Sequence, residues 1–124
     1  MDNKKLVYLI EDKVDPVEYW KERAEDSGQY VVKPFVTTLC FFDYASKNSL
    51  KDGDYIVVDK NVPGADNADG EFIEMLADTD FSGTKILTSA EFTREGAPNV
   101  KGFDYVLSKK YIIDDFEDRI LCIK

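Results

Sequence analysis

The chain has 124 residues, of which 44% are hydrophobic and 13% aromatic, and its formal net charge is −9. This length suits one domain, and the apolar content favours a packed core over a disordered chain. Since the basic residues form no compact cluster, direct binding to nucleic acid is not expected. The chain has no histidine, which excludes Ser-His-Asp triads and most zinc sites.

The two cysteines, Cys40 and Cys122, each lie among apolar neighbours in the sequence. We expect both to be reduced and buried as small core side chains. The apolar run at residues 6–10 is far too short for a signal-peptide core or a membrane span. We therefore expect a cytoplasmic protein without a membrane partner.

The N-terminal part of the chain predicts a strand followed by a helix. Residues 6–10 form a continuous apolar run, which is typical of a strand buried on both faces of a parallel sheet. The helix is expected to have Asp15 as its cap, Pro16 at its first position and Glu18 completing a capping box. Gly28 ends it. Its inward face carries Val17, Trp20 and Ala24.

The middle of the chain repeats this alternation. Residues 30–32 predict a short strand that is stopped by Pro34. Thr38 is expected to cap a second helix, which extends to about residue 48. Residues 55–58 are a second continuous apolar run, and they predict the central strand of the sheet.

The C-terminal half contains two more strands. Residues 72–78 predict a third helix, and residues 85–88 predict a fourth strand. Glycine and proline within residues 91–102 predict a fourth helix that is short or irregular. Residues 105–107 and 112–122 predict the fifth strand and the last helix.

The regular alternation predicts an α/β fold, a single doubly wound domain over residues 1–124 with a five-stranded parallel sheet and helices on both faces. In the flavodoxin-like strand order 2-1-3-4-5, the carboxyl ends of the strands meet at one edge. The side chains expected at this edge are Glu11, Asp12, Asp59, Ser89 and Lys109. Three carboxylates repel one another unless a cation lies among them, and Mg²⁺ prefers such oxygen ligands. The hydroxyl of Ser89 and the ammonium of Lys109 are then placed to bind an anion at the metal. The edge therefore predicts a phosphoryl site in which one carboxylate is the nucleophile.

These motifs resemble the receiver domain of two-component response regulators, the CheY-like superfamily, over nearly the whole chain. The matching segments are the pair Glu11-Asp12, residues 57–64 (Val-Val-Asp-Lys-Asn-Val-Pro-Gly), the pair Ser89-Ala90 and residues 102–109. The resemblance implies that Asp59 accepts a phosphoryl group from a histidine kinase or a histidine phosphotransfer protein. It also implies a conformational change that alters binding to a downstream protein target or effector domain, and it leaves a homodimer open.

The resemblance assigns roles to the other residues of the edge. Mg²⁺ would be held by Glu11, Asp12, Asp59 and the main-chain carbonyl of Asn61. Ser89 would be the switch hydroxyl that contacts a phosphoryl oxygen, and Lys109 would pair with the phosphate. Asn61 and Glu91 would modulate the lifetime of the phosphoryl group. The chemistry implied is self-catalysed phosphorylation and autodephosphorylation, so we do not expect an enzyme that acts on separate substrates.

Three features depart from the family pattern. The loop at residues 63–70 is longer than usual. Lys110 replaces the proline that follows the family's lysine, so the cis peptide that is usual there loses its basis. Val106 replaces the usual aromatic residue three positions before that lysine, and Tyr105 is displaced by one position. We expect intact phosphorylation chemistry with a non-standard signal output.

Two other functions remain open. A receiver-like interaction module that works without phosphorylation would have the same fold, and failure to bind Mg²⁺ would support it. An enzyme of the haloacid-dehalogenase type would need a second Asp at the position of Asn61. Each candidate residue also has a structural interpretation: a solvated strand end, an ordinary loop hydroxyl or a surface lysine, with Lys110 as a competitor for Lys109.

Overall fold

The computed structural model describes residues 4–48, 54–60, 83–96 and 102–122. The strands in these ranges are β1 (Lys5–Ile10), β2 (Tyr30–Phe35), β3 (Tyr55–Asp59), β4 (Thr84–Ser89) and β5 (Tyr105–Ser108). They pair in parallel in the order β2-β1-β3-β4-β5. The predicted flavodoxin-like sheet is therefore confirmed, with β3 at its centre.

Two long helices and a C-terminal helical run accompany the sheet. The helices are α1 (Val14–Ser27) and α2 (Thr38–Lys47). The run after β5, here called the C-terminal segment, consists of a 3₁₀ turn (Lys109–Tyr111), the short helix α3 (Ile112–Asp115) and a π-helical turn (Phe116–Ile120). Residues 90–91 and 94–96 form turns, as expected for a short or irregular fourth helix. The helix predicted at residues 72–78 lies outside the described residues.

Both faces of the sheet are covered by helices. On one face, Leu9 belongs to a core cluster with Trp20 of α1 and Phe116 of the C-terminal segment. On the other face, Tyr8 belongs to a cluster with Phe41 of α2. Neighbouring residues of a strand point to opposite faces, so both must be apolar when both faces are buried. This confirms the doubly wound architecture and explains the continuous apolar runs.

The start predicted for the first helix is wrong. Helix α1 begins at Val14, after the extended residue Lys13 (φ −101°, ψ 140°), and no side chain caps it. The backbone N–H of Lys13 donates to Glu11 Oε2 at 3.3 Å. Because the helical conformation is already established at Val14, Asp15 lies in the first turn, and the capping box predicted for Asp15 and Glu18 does not mark the start.

The other boundaries differ by small amounts. Gly28 ends α1 as predicted, in the left-handed conformation (φ 68°). Thr37, and not Thr38, caps α2, since its Oγ1 accepts a hydrogen bond from a backbone N–H of the first turn at 3.1 Å. Strand β2 continues through Pro34, so the predicted stop is wrong. An edge strand tolerates proline because one side of its backbone has no neighbour to which it must donate.

The predicted burial of the two cysteines is also wrong. Cys40 and Cys122 are both free and exposed. Phe41 takes the buried position on α2, so the preceding residue, Cys40, faces outward. Cys122 follows the C-terminal segment with a φ of 59°. None of the helices in the described ranges combines the length and the apolar character that crossing a bilayer requires.

Candidate functional site

At the carboxyl edge of the sheet, one lysine joins two buried acids. Asp59 is the last residue of β3 and Glu11 follows β1, and each is only 3% exposed. The ammonium of Lys109, the first residue after β5, lies 2.5 Å from Asp59 Oδ2 and 2.8 Å from Glu11 Oε1. The structure thus brings together three of the residues predicted for the site.

Burial and charge act against each other in this cluster. Burial raises the pKa of the Glu11 carboxyl, the hydrogen bond from Lys109 opposes this, and the nearby charge of Asp59 raises the pKa further. Burial alone would lower the pKa of Lys109, but its hydrogen bonds to Asp59 and Glu11 outweigh burial and raise it. Lys109 is therefore charged, and its charge stabilises the two neighbouring acids.

Of the four predicted Mg²⁺ ligands, Glu11 and Asp59 come together. Asp12 is exposed, and Asn61 lies outside the described residues. Within the described ranges, no three acidic or cysteine side chains form a group that could hold a metal ion. The donor chemistry still fits Mg²⁺, because two carboxylates from adjacent strands already surround a positive charge and Asp12 follows directly in the same loop.

The predicted switch hydroxyl lies one strand further along the edge. Ser89 ends β4 and is fully buried. Its Oγ accepts a hydrogen bond from the Glu91 N–H at 3.1 Å. The carboxylate of Glu91 pairs with Lys60 Nζ at 3.2 Å. The loop after β4 is therefore tied to the residue that follows Asp59.

The sequence did not single out two residues of this edge, Lys60 and Thr88. Lys60 pairs with Glu91, and its Nζ lies 5.9 Å from the centre of the Phe92 ring. Thr88 is the register partner of Asp59 and is 4% exposed. Its Oγ1 has no hydrogen-bond partner in the part of the chain that the structure describes. The strand register is the signal that could have found Thr88, because residues paired on adjacent parallel strands reach the same edge.

A cavity of about 380 Å³ opens beside these residues and is here called the side cavity. One end is formed by Glu11, Asp59, Thr88 and Lys109. The walls come mainly from apolar side chains of α1 and the C-terminal segment. This combination of apolar walls and a few polar groups is typical of sites that bind small molecules.

Neither the protein-family models nor the curated proteins provide a match to the sequence. Solved structures do match it. The response regulator receiver domain (CheY-like) from Methylobacillus flagellatus is 16% identical, with a TM-score of 0.73, and the match covers 98% of this chain and 100% of that one.

Two further structures are similar at comparable identity. The C-terminal part of RcsC from Escherichia coli, which contains a phosphoreceiver domain, is 19% identical with a TM-score of 0.67, and 98% of this chain and 87% of that one are covered. The chemotaxis response regulator CheY4 of Vibrio cholerae is 13% identical with a TM-score of 0.65, and the coverage is 93% and 98%. At these identities, the likeness establishes the shared fold.

Proposed function

We propose that this chain, which has the fold of response regulator receiver domains, accepts a phosphoryl group on Asp59. The donor is a histidine kinase or a histidine phosphotransfer protein, and the reaction depends on Mg²⁺. The phosphorylated chain changes conformation and thereby alters its binding to a protein partner. One observation carries the proposal: a buried carboxylate at the end of the central strand lies 2.5 Å from the ammonium of Lys109.

The proposed reaction is a phosphoryl transfer from a donor histidine. An oxygen of Asp59 forms a bond to phosphorus while the bond between phosphorus and the donor nitrogen breaks, and that nitrogen leaves with the electron pair. Little covalent chemistry is needed, so catalysis consists of in-line positioning and neutralisation of the phosphoryl oxygens. Lys109 suits the second task, because its ammonium already lies beside Asp59.

The residues that would hold Mg²⁺ are Glu11, Asp12, Asp59 and the main-chain carbonyl of Asn61. When bound, the ion supplies positive charge that offsets the carboxylates and the phosphoryl oxygens. Support comes from the two carboxylates of Glu11 and Asp59, which lie close together at this edge and are oxygen ligands of the kind that Mg²⁺ prefers.

Ser89 is the proposed switch hydroxyl. Its Oγ accepts a hydrogen bond from the Glu91 N–H, and its hydroxyl hydrogen is the group that would donate to a phosphoryl oxygen. The pair between Lys60 and Glu91 connects the same loop to the residue after Asp59. Phosphorylation and the movement of Ser89 would therefore both act on this pair, which supports Glu91 as a modulator. Asn61 is proposed as a second modulator.

The proposed output uses contacts of the loop after β4. Arg94 Nη2 donates to Asp115 Oδ1 at 2.7 Å, and the Arg94 guanidinium lies 4.5 Å from the centre of the Tyr111 ring. These contacts join the loop that follows Ser89 to the C-terminal segment. They supply a route to the surface that does not need the family's usual aromatic residue at Val106. The partner that binds this surface is a downstream protein target, an effector domain or a second copy of the chain.

The rest of the proposal follows the sequence. The chain is a single domain over residues 1–124, located in the cytoplasm, and its own chemistry is limited to phosphorylation and autodephosphorylation of Asp59. Its net charge of −9 gives no support to nucleic acid as a partner.

Intact-mass analysis after incubation with acetyl phosphate tests the proposal. The wild type is expected to gain one phosphoryl group with Mg²⁺ and none with EDTA. Asp59→Asn is expected to gain none under either condition. Asp54→Asn is the matched control, because Asp54 is also buried but lies at the opposite end of β3, and it should be labelled like the wild type.

The opposite result would favour the interaction module. If the folded wild type gains no mass and beryllofluoride also fails to bind, phosphoryl acceptance is ruled out and the fold serves binding without phosphorylation. Labelling of Asp59→Asn at the wild-type level would contradict the assignment of the acceptor.

A further inference from the structure

Phosphoryl transfer uses only one end of the side cavity. The remainder lies between α1 and the C-terminal segment, where its walls include Leu9, Trp20, Ile112 and Ile113. All four side chains are buried. A phosphoryl group is small and charged, so contact with apolar walls would not stabilise its binding. The volume of about 380 Å³ falls in the range of sites that enclose small organic ligands.

Thr88 marks the place where the apolar walls meet the acids. It lines the side cavity, it is buried, and its Oγ1 has no hydrogen-bond partner within the described ranges. A buried hydroxyl without a partner destabilises the fold, and valine would fill the same space without that cost. A ligand that forms a hydrogen bond with Thr88 accounts for a hydroxyl at this position.

The charges around the side cavity select the kind of ligand. Among the described residues that line the side cavity, four are acidic (Glu11, Asp15, Asp59 and Asp114) and two are basic (Lys109 and Lys110). At the exposed rim, Asp114 pairs with Arg23 at 3.0 Å. An ammonium group is therefore attracted to the polar end, whereas a carboxylate or phosphate on an apolar body is repelled.

We propose that the side cavity binds a small amine with an apolar body. The ammonium lies against Glu11 and Asp59 and donates a hydrogen bond to Thr88 Oγ1. The aromatic or branched aliphatic body packs against Trp20 and Ile113. This binding needs no reaction at Asp59, so it stands independently of phosphoryl transfer.

Fluorescence of Trp20 provides a direct assay, because it is the only tryptophan of the chain and lines the side cavity. The full chain is titrated with 2-phenylethylamine and, separately, with 3-phenylpropanoate, in EDTA so that no divalent cation competes for the acids. The amine is expected to give a saturable change. The propanoate, with a similar body and the opposite charge, is expected to bind at least about tenfold more weakly.

Two variants test the contact to the hydroxyl. Thr88→Val is expected to weaken binding of the amine about tenfold or more, since a hydrogen bond to a charged group is lost. Thr84→Val is the matched control on the same strand, where Thr84 is half-buried and does not line the side cavity, and it should bind like the wild type. Changes in the amide chemical shifts of the wild type on addition of the amine locate the bound amine without the use of any variant.

Several outcomes would overturn the proposal: no saturable change with the amine, equal affinity for the propanoate, unchanged affinity in Thr88→Val, or NMR shifts confined to residues outside the side cavity. Acetyl phosphate labelling of the same preparation, without amine, separates this proposal from the proposed function. Amine binding in a chain that cannot be phosphorylated would leave the inference intact.

Discussion

At the scale of single residues, Lys109 connects the two buried acids of the candidate site. Its side chain is 19% exposed, yet it contacts two carboxylates that are almost fully buried. Removing one partner of a buried ion pair costs about 3–5 kcal/mol, because the remaining charge is left without compensation. The partial exposure of Lys109 favours the lower end of that range.

We predict that Lys109→Met lowers the free energy of unfolding by about 3 kcal/mol at neutral pH. The control is Lys110→Met at the adjacent exposed residue, which should change it by less than about 0.5 kcal/mol. Urea unfolding measures both. Equal stability of the two variants would contradict the shared contact of Lys109 with Glu11 and Asp59.

The buried hydroxyl of Thr88 destabilises the folded state, whereas Lys109 stabilises it. Because its Oγ1 is buried without a partner among the described residues, Thr88→Val is expected to raise the free energy of unfolding by about 1 kcal/mol. Thr84→Val, in the more exposed part of β4, should leave it within about 0.5 kcal/mol of the wild type. A thermal unfolding series tests this, and a destabilised Thr88→Val would mean that the hydroxyl has a partner in solution.

At the level of the elements, the N-terminus of α1 lacks a capping side chain. Lys13 occupies the cap position with extended backbone angles, and no side chain there accepts a hydrogen bond from the first turn. Serine has the geometry to do so. A side chain at this position that accepted such a hydrogen bond would therefore stabilise α1.

We predict that Lys13→Ser raises the free energy of unfolding by about 0.5–1 kcal/mol through a new cap. Lys21→Ser, at an exposed position inside α1, should lower it slightly because serine is a weaker helix former than lysine. Urea unfolding of the pair separates the cap from the loss of lysine. A similar loss in both variants would show that no cap forms.

The C-terminal segment is attached to the rest of the fold by a partly buried network around Glu117. The Tyr30 hydroxyl on β2 donates to Glu117 Oε2 at 2.8 Å. Arg23 of α1 also pairs with Glu117, and it contacts Asp114 at 3.0 Å. One carboxylate thus connects an edge strand, a helix and the end of the chain, and this holds the segment that begins with Lys109.

Burial raises the pKa of the Tyr30 phenol, and the hydrogen bond to Glu117 raises it further. The folded state therefore favours the neutral phenol. Its contribution to stability is fully present below the unfolded pKa of about 10, and it is lost as the pH rises through the folded pKa above that value.

We predict that the wild type loses stability above about pH 10 more steeply than Tyr30→Phe. At neutral pH, Tyr30→Phe should be less stable by about 1–2 kcal/mol, because a hydrogen bond to a charged group is missing. Urea unfolding at a series of pH values measures both effects. The same pH slope for the two proteins would contradict a buried neutral phenol in this network.

For the whole molecule, the sheet was predictable because its signal is strong and repeated. The runs at Leu9 and Val57 are apolar on both sides of the strand because helices cover both faces. The end of each apolar run predicts the end of a strand. The strand order then brings Asp59, Glu11 and Lys109 to one edge. The core of the candidate site therefore followed from pattern and topology together.

Other features depend on local geometry that the pattern does not contain. Asp12 and Glu11 are consecutive acids, yet Glu11 is buried in contact with Lys109 and Asp12 is exposed. Cys40 is exposed because Phe41 takes the buried position of the same helix. The prediction of a cap for α1 was wrong for a similar reason, because the loop before the helix determines which residue is the first helical one. Such choices are made by contacts between elements.

Localisation of the phosphoryl group in the wild-type chain tests the central claim most directly. The chain is labelled with acetyl phosphate and Mg²⁺, the acyl phosphate is reduced with borohydride to homoserine, and the modified residue is identified by peptide mass spectrometry. We predict modification at Asp59 alone, and none in Asp59→Asn. Modification at Glu11, Asp12 or any other acid, or labelling that persists in Asp59→Asn, would contradict the assignment of Asp59 as the phosphoryl acceptor.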